Sequence, residues 1–131
     1  MIKIIRGIES ITLFSQNATK LADFYKKILG LKQTMEAEMG EGKKAANLYG
    51  FEMKTGSPLY VVDHSDIKGK AKQPKRIVFN LEVDKIDPEV ARLKRKKVKV
   101  IEPKYHVQGY GYIATFADID GNYFQLVQVR A

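Results

Sequence analysis

The chain has 131 residues and a mass of 14.9 kDa, a length that fits one domain with a substantial core. It contains no cysteine, which excludes disulfide scaffolds, zinc fingers, iron–sulfur sites and cysteine nucleophiles. A reducing, cytoplasmic setting is therefore the default expectation. No apolar run approaches the roughly 18 residues needed to span a bilayer, so no membrane association is expected.

The formal net charge is +8, and the Lys and Arg residues concentrate in two segments, residues 68–76 and 92–99. The first segment contains Gly and Pro without apolar periodicity and is typical of a solvated linker. The second is predicted to be the end of a helix, where cations complement the helix dipole. Neither segment interleaves aromatic residues as single-strand binding platforms do, so nucleic-acid binding is the less favoured alternative.

The first half of the chain is predicted to form a strand, a helix and three further strands. Asn17 can cap the helix, because its side-chain oxygen can accept a backbone N–H, and Gly30 suits the left-handed position that ends it. Between them, Leu21 and Tyr25 fall on one face at helical spacing. The strands are predicted from β-branched and aromatic content over residues 8–14, 32–38, 45–53 and 58–64.

The second half repeats this order. Asp87 is predicted to cap a second helix with Pro88 at its first position, and Lys97 ends this helix without the usual glycine. Residues 118–122 are predicted to form a turn, since Gly121 can take a positive φ. The strands are predicted over residues 76–83, 98–101, 110–117 and 123–129, with a further short strand between residues 102 and 108.

Matching segments of the two halves are separated by a nearly constant number of residues. Ser10 precedes Arg76 by 66 residues, and Leu31 precedes Val98 by 67. A fixed offset indicates a tandem repeat. We therefore predict an α+β fold in which two tandem βαβββ modules form curved, incomplete-barrel mixed sheets around a cleft. The whole chain is one domain: module one spans about residues 5–66, the basic linker about 67–75 and module two about 76–131.

Two segments resemble the vicinal oxygen chelate superfamily, which includes glyoxalase I, extradiol dioxygenases and bleomycin-resistance proteins. Phe24-Tyr25 and Leu29-Gly30 match the helix that follows the first strand in that family. Residues 118–122 are similar to the family's Asp-Pro-Asp-Gly-Asn turn, with Ile119 in place of Pro. The resemblance implies a paired βαβββ fold, in agreement with the repeat.

The resemblance also implies four metal-ligand positions: a His or Gln near the start of each module's first strand, and a Glu in each module's last strand. These positions hold Ser10, Tyr60 or a neighbour, Arg76 and Gln125. Divalent metals bind imidazole nitrogen or carboxylate oxygen, and an arginine cannot lose its proton. The sequence therefore predicts no metal ligands and no cofactor.

Strand alternation assigns side chains to the two faces of each sheet. Ile11, Leu13, Ile77, Phe79 and Leu81 are expected to pack toward the helices. The cleft is expected to hold an aromatic wall with hydroxyls, amides and one cation, which suits an aromatic ligand with an anionic group. The predicted ligand-binding residues are Ser10, Thr12, Tyr60, Arg76, Tyr110, Tyr112, Tyr123 and Gln125.

Several of these residues have a second interpretation. Arg76 can point into the cleft or be solvated at the end of the linker, and Gln125 can contact a ligand or fill a polar position in the sheet. His106 lies in a Tyr- and Gly-rich loop and could gate the pocket, act as a general base, or be a surface residue. His64, beside Asp63 and Asp66, could attract a metal weakly or belong to a solvated turn.

The predicted activity is metal-independent, noncovalent binding of a small organic ligand, as the resemblance to bleomycin-resistance proteins implies. The alternative is a lyase, isomerase or dioxygenase with atypical metal ligands that recruits Glu9, His64 or His106. The incomplete sheets leave edges that association can cover, so a homodimer with twofold symmetry is expected.

Overall fold

The computed structural model describes residues 4–130, apart from the side chain of Lys44. The chain divides into two compact units, one up to Lys68 and one from Gly69 onward. This boundary falls inside the predicted basic linker. Within residues 4–130, no helix is long and apolar enough to cross a membrane.

The first unit contains a four-stranded mixed sheet in the order β1-β4-β3-β2, with β1 parallel to β4. Helix α1 continues directly into a π-helical turn, Phe24–Ile28, and a short 3₁₀ turn, Gly42–Lys44, precedes β3. The elements are β1 (Ile11–Ser15), α1 (Ala18–Asp23), β2 (Lys32–Met39), β3 (Ala46–Glu52) and β4 (Leu59–Asp63).

The predicted ends of the first helix are confirmed. The Asn17 side chain accepts the backbone N–H of Lys20 at 3.2 Å, and Gly30 has a φ of +81°. A second cap comes from far along the chain, because the Asp63 carboxylate accepts the Ala18 N–H at 2.7 Å. Such a bond satisfies one of the N–H groups that the first turn of a helix leaves without a partner.

The second unit repeats the architecture, with sheet order β5-β8-β7-β6 and β5 parallel to β8. Neither sheet order closes on itself, so the prediction of two βαβββ modules with incomplete-barrel sheets is confirmed. The extra strand expected between residues 102 and 108 is instead the second part of β6, beyond a bulge after Val100. The elements are β5 (Phe79–Glu82), α2 (Ile86–Arg95), β6 (Lys99–Val107), β7 (Gly111–Ala117) and β8 (Tyr123–Val129).

Two predicted boundaries in the second unit are wrong. Strand β5 begins at Phe79 rather than Arg76, because the chain first turns and the Arg76 N–H donates to the Gln73 carbonyl at 3.1 Å. Ile77 therefore precedes the strand and is 82% exposed instead of packed under the helix. Helix α2 begins at Ile86, ahead of the predicted Asp87 cap.

A side chain of β8 explains where helix α2 begins. The Ile86 N–H donates to the Gln128 side-chain oxygen at 2.9 Å, and Ile86 is buried. Tertiary packing therefore overrides the local preference of Asp87 for a capping position. At the other end Lys97 takes a φ of +62°, the left-handed conformation that glycine usually supplies.

Each helix covers one face of its own sheet. In the first unit the Thr19 and Tyr49 hydroxyls lie 2.7 Å apart, and the Tyr25 ring packs near Phe51. In the second unit Phe124 stacks between Phe79 and Phe116, with ring centroids 6.3 and 5.8 Å apart. Because successive strand residues point to opposite faces, the alternate side chains lie on a face that the unit's own helix does not cover. We call this the open face of each sheet.

We predict that replacing Gly111 with alanine destabilises the fold severely. Gly111 has a φ of +144°, and a Cβ there would lie 2.0 Å from the backbone oxygen of Gln128 on the paired strand. The backbone must move to relieve this overlap, so the free energy of unfolding should fall by about 3 kcal/mol or more.

Gly109 provides the control, because it has a φ of +82° with nothing within 4 Å of an added Cβ. Gly109→Ala should lower the free energy of unfolding by only about 1 to 2 kcal/mol, because alanine is strained at this positive φ but meets no neighbouring atom. Urea denaturation of both variants measures the difference. An equal decrease in the free energy of unfolding for both variants would show that the close contact with Gln128 does not constrain residue 111.

Candidate functional site

A row of polar side chains crosses the open face of the second sheet. Asn80 of β5 lies opposite Gln125 of β8, and Gln125 lies opposite Thr115 of β7. The Gln125 amide nitrogen donates to the Thr115 hydroxyl at 3.0 Å, and Thr115 is buried. This bond fixes the orientation of the Gln125 amide, since its nitrogen is committed to Thr115.

Tyr110 extends the polar row although it precedes β7. The Asn80 amide nitrogen donates to the Tyr110 hydroxyl at 3.4 Å, and the Tyr110 carbonyl accepts the Arg130 N–H at 2.7 Å. Tyr110 is 37% exposed, so part of this residue is accessible beside the polar row. The open face therefore carries the Tyr110 ring, the hydroxyls of Tyr110 and Thr115, and two amides.

A cavity of about 480 Å³ lies where strand β8 begins. The Arg76 guanidinium donates to the Gln73 side-chain oxygen at 3.1 Å, which uses one of its five N–H groups and leaves the others for a ligand. The cavity combines cations with one aromatic ring. Its lining residues are Lys72, Gln73, Pro74, Lys75, Arg76 and Tyr123.

The loop that carries these cations is attached to the sheet. The Ala71 N–H donates to the Asp120 carbonyl at 2.8 Å, and Gly121 lies under Lys70 and Ala71. The turn itself is held by Asp118, whose buried carboxylate accepts two backbone N–H groups at 2.9 and 3.0 Å. The cations of residues 69–76, which we call the basic loop, are therefore held beside Tyr123.

The expectation that Tyr112 shares a face with Gln125 is wrong. Tyr112 lies opposite Gln128, whose side chain contacts the start of helix α2, so the Tyr112 ring lies on the helix side. There Lys104 lies over the ring at 5.0 Å and pairs with Asp87 of α2 at 2.8 Å. This hydrogen bond with Asp87 raises the pKa of Lys104.

His106 lies on the same side of the sheet as Tyr112. His106 lies opposite Tyr112, with ring centroids 4.8 Å apart, and so belongs to strand β6 on the helix side rather than to a loop over the open face. Thr115, Ile113 and Gly111 occupy the open face of β7, and Tyr112 lies on the helix side. A one-residue shift in a strand moves every side chain to the opposite face.

The first unit brings two of its predicted residues together. Thr12 of β1 lies opposite Tyr60 of β4, and Tyr60 lies opposite Gly50 of β3. A Cβ on Gly50 would lie 2.9 Å from the Tyr60 ring, so the glycine gives the ring its place on the open face. Ser10 is half-buried just before β1.

A second cavity, of about 610 Å³, lies within the first unit at the ends of β1 and β4. Its acidic residue, Asp63, accepts hydrogen bonds from Ala18 and from the backbone and side chain of Asn47. Its imidazole, His64, accepts the Asp66 N–H at Nδ1, at 3.1 Å. Asp63 and His64 therefore stabilise the local backbone through these hydrogen bonds, which agrees with the interpretation of this segment as a turn.

The residues at the four family metal positions do not match the ligands of a divalent metal. Ser10 and Tyr60 offer neutral hydroxyls and Gln125 offers an amide. Arg76, a permanent cation, lies in the turn before β5 and not in the strand where the resemblance implies a ligand. Within residues 4–130, no group of three or more His, Asp or Glu side chains converges as a metal site would require. These side chains suit an anion or a neutral polar group better than a divalent cation.

Sequence reasoning missed Thr115, Lys72 and Lys75. The hairpin register could have identified Thr115, because the predicted turn at residues 118–122 places it opposite Gln125. No local pattern in the sequence indicates that the basic loop folds back against the turn, since that contact joins backbone atoms of Ala71 and Asp120.

Two βαβββ units with mixed sheets, each with a helix that covers one sheet face, define the class of protein. The profile of the Glyoxalase/Bleomycin resistance protein/Dioxygenase superfamily matches residues 7–126. The chain therefore belongs to this superfamily, as the sequence resemblance predicted. A comparison with curated protein sequences finds no significant match.

Solved structures of this fold superpose on nearly the whole chain. A glyoxylase/bleomycin resistance protein/dioxygenase domain from Frankia sp. EAN1pec has a TM-score of 0.76 at 16% identity, covering 96% of this chain and 99% of its own. TnmS3, an antibiotic-binding protein from Streptomyces sp. CB03234, has 0.72 at 24%, covering 98% and 99%. FosX, a fosfomycin resistance protein from Listeria monocytogenes, has 0.71 at 20%, covering 96% and 95%.

We predict that the protein purifies without a stoichiometric metal and gains no thermal stability from added zinc, nickel, iron or manganese. An added metal raises the melting temperature only if it binds tightly to the native state. Hydroxyls and a guanidinium do not bind a divalent metal tightly. Metal analysis after purification without chelator, followed by thermal-shift titration, measures this. A rise of several degrees at near-stoichiometric metal would contradict the prediction.

Proposed function

We propose that the protein binds a small organic molecule noncovalently and without a metal, and that the ligand joins an aromatic or apolar body to an anionic group. The observation that carries this proposal is the cavity in which the basic loop meets Tyr123. The polar row of Asn80, Gln125 and Thr115 lies on the open face of the same sheet. Ligand sites typically combine apolar surface with a few oriented polar groups.

The anionic group of the ligand binds Arg76. A guanidinium can donate two parallel hydrogen bonds to a carboxylate or a similar anion, which fixes the orientation of the ligand as well as adding affinity. Lys72 and Lys75 line the same cavity and raise the local positive potential. Because all three residues are exposed, salt weakens this attraction, and the affinity depends on contacts with the rest of the ligand as well.

The body of the ligand lies against Tyr123 and reaches the Gln125 amide and the Tyr110 hydroxyl. Burial of aromatic surface supplies the larger part of the affinity, while the amide and hydroxyl select the orientation. Ser10, Thr12 and Tyr60 are candidate contacts on the open face of the first sheet, whereas Tyr112 is a weaker candidate on the helix side. We also propose a cytoplasmic location.

Two structural neighbours support a binding function. TnmS3 is described as an antibiotic-binding protein, and FosX as a fosfomycin resistance protein. Both superpose on more than nine-tenths of this chain, although at 24% and 20% identity they support the fold rather than a particular ligand. No arrangement of His64, His106 or Glu9 in the described residues favours the enzymatic alternative over binding.

We further propose that the protein is a homodimer. In each sheet order the outermost strands have one unpaired edge, and association is a common way to cover such edges. Sedimentation velocity at tens of micromolar, roughly the working range for a stable interface, should give twice the monomer mass. A species of 14.9 kDa at that concentration would exclude a stable dimer.

We predict that Arg76→Met weakens binding of an aromatic carboxylate by about 1.5 kcal/mol, roughly tenfold in Kd. Methionine keeps the packing of the aliphatic stem but removes the charge and the donors. Folding should be little affected, since Arg76 is exposed. The ligand is chosen by a thermal-shift screen of aromatic acids, and the Kd of the best hit is measured by calorimetry.

Arg6→Met is the matched control, because it makes the same chemical change at an exposed arginine of the first unit. It should leave the Kd unchanged at low salt and at high salt. If Arg76→Met binds as tightly as the parent protein in both conditions, Arg76 is only a solvated linker residue. The proposed site would then be wrong.

A further inference from the structure

The two basic segments of the sequence meet at one end of the second sheet. Lys99, which begins β6, lies opposite Ala117, and Ala117 lies opposite Tyr123, which begins β8. Paired strands are about 4.8 Å apart, so the backbones of Lys99 and Tyr123 are separated by roughly 10 Å. The basic loop lines the cavity beside Tyr123. The end of helix α2, which leads into Lys99, therefore lies at the same end of the sheet as the basic loop.

The charge of the protein is concentrated at this end. Residues 69–131 contain 13 Lys and Arg against 7 Asp and Glu, a net charge of +6 out of the +8 of the whole chain. The basic loop and residues 94–99, which we call the α2 end, contribute 9 of those 13 cations and no acidic residue. All nine are exposed. They are Lys70, Lys72, Lys75, Arg76, Lys94, Arg95, Lys96, Lys97 and Lys99.

Two acidic residues lie between the two basic segments. Asp118 is only 6% exposed, and its carboxylate accepts backbone hydrogen bonds within the turn. Asp120 is half-buried in the same turn, and its carbonyl accepts the Ala71 N–H. These contacts commit Asp118 to the turn. The nine cations of the two basic segments outnumber these two carboxylates, so this end of the sheet carries an excess of positive charge.

We propose that the basic loop and the α2 end bind the phosphate backbone of single-stranded nucleic acid, with the Tyr123 ring available for a base to stack on. Single-strand binding surfaces combine cations that follow the phosphates with aromatic rings that stack on bases. The sequence shows no aromatic residue within either basic segment. The fold supplies one, because the turn at residues 118–122 brings Tyr123 to the basic loop.

An anionic membrane is the other partner that such charge could attract. Membrane-surface binding also requires an apolar face beside the cations. The apolar residues Ile86 and Leu93 of α2 are buried within the unit. Two exposed isoleucines near the basic segments, Ile77 and Ile119, belong to a loop and a turn and do not form a continuous apolar face. Nucleic acid therefore fits this surface better than a membrane does.

The test measures binding of a fluorescein-labelled, random-sequence 20-nucleotide DNA by fluorescence anisotropy as salt rises from 50 to 200 mM. Neutralised phosphates release counterions, and if about five are contacted, the plot of log affinity against log salt has a slope of about −3.5. The affinity then falls roughly 100-fold over this range. No binding at 50 mM salt, or a slope shallower than about −1, would overturn the proposal.

The variant Lys94→Gln, Lys96→Gln, Lys99→Gln tests the surface separately from the small-molecule site, since none of these residues lines the cavity. The salt slope should become shallower by about 2, while the Kd for the aromatic acid stays unchanged. The matched control is Lys20→Gln, Lys26→Gln, Lys32→Gln, three exposed lysines of the first unit. It makes the same change in net charge and should leave the slope within about 0.5 of the parent.

The two variants decide between a defined surface and net charge alone. If the control variant weakens DNA binding as much as the α2-end variant does, the binding is nonspecific and the proposal is wrong. Co-sedimentation with vesicles of phosphatidylcholine and phosphatidylserine tests whether the surface binds an anionic membrane instead. Binding to these vesicles without binding to DNA would assign the surface to membranes and also overturn the proposal.

Discussion

In each unit the first strand pairs in parallel with the last, and this pairing requires the helical connection that covers one face of the sheet. Parallel strands cannot be joined by a tight turn, so the chain must leave the sheet and return. It does so through α1 in the first unit and α2 in the second, and each helix covers one face. The other face has no helix of its own. Along β8 the consequence is direct, since Phe124 packs in a buried aromatic stack while its neighbour Gln125 lies in a polar row.

The repeat, the order of the elements and the superfamily were predictable because they depend on local patterns. Asn17 and Gly30 mark the helix ends through their own chemistry, and the alternation in β8 is visible in its sequence. What could not be predicted depends on contacts between distant residues. Gln128 determines where α2 begins, and the pairing of Tyr112 with Gln128 determines that Tyr112 faces the helix. The basic loop has its place because Ala71 bonds to the turn at Asp120.

The same scaffold can hold a metal in some members of the superfamily, and function depends on the side chains that the scaffold presents. In this chain a glutamine of β8 stands where the resemblance implies a metal ligand, and Arg76 and the lysines of the basic loop carry positive charge at the start of the same strand. A guanidinium repels a divalent cation and attracts an anion. In the function we propose, these residues change the kind of partner that the site prefers, from a metal to an anionic group on an organic molecule.

The most direct test is a crystal structure of the protein with the best aromatic acid from the screen, prepared as a brominated derivative so that anomalous scattering locates the ring. We predict bromine density beside Tyr123 on the open face of the second sheet, with the carboxylate within hydrogen-bonding distance of the Arg76 guanidinium. Density at a site away from Arg76 and Tyr123, or a ligand held through a bound metal ion, would contradict this prediction.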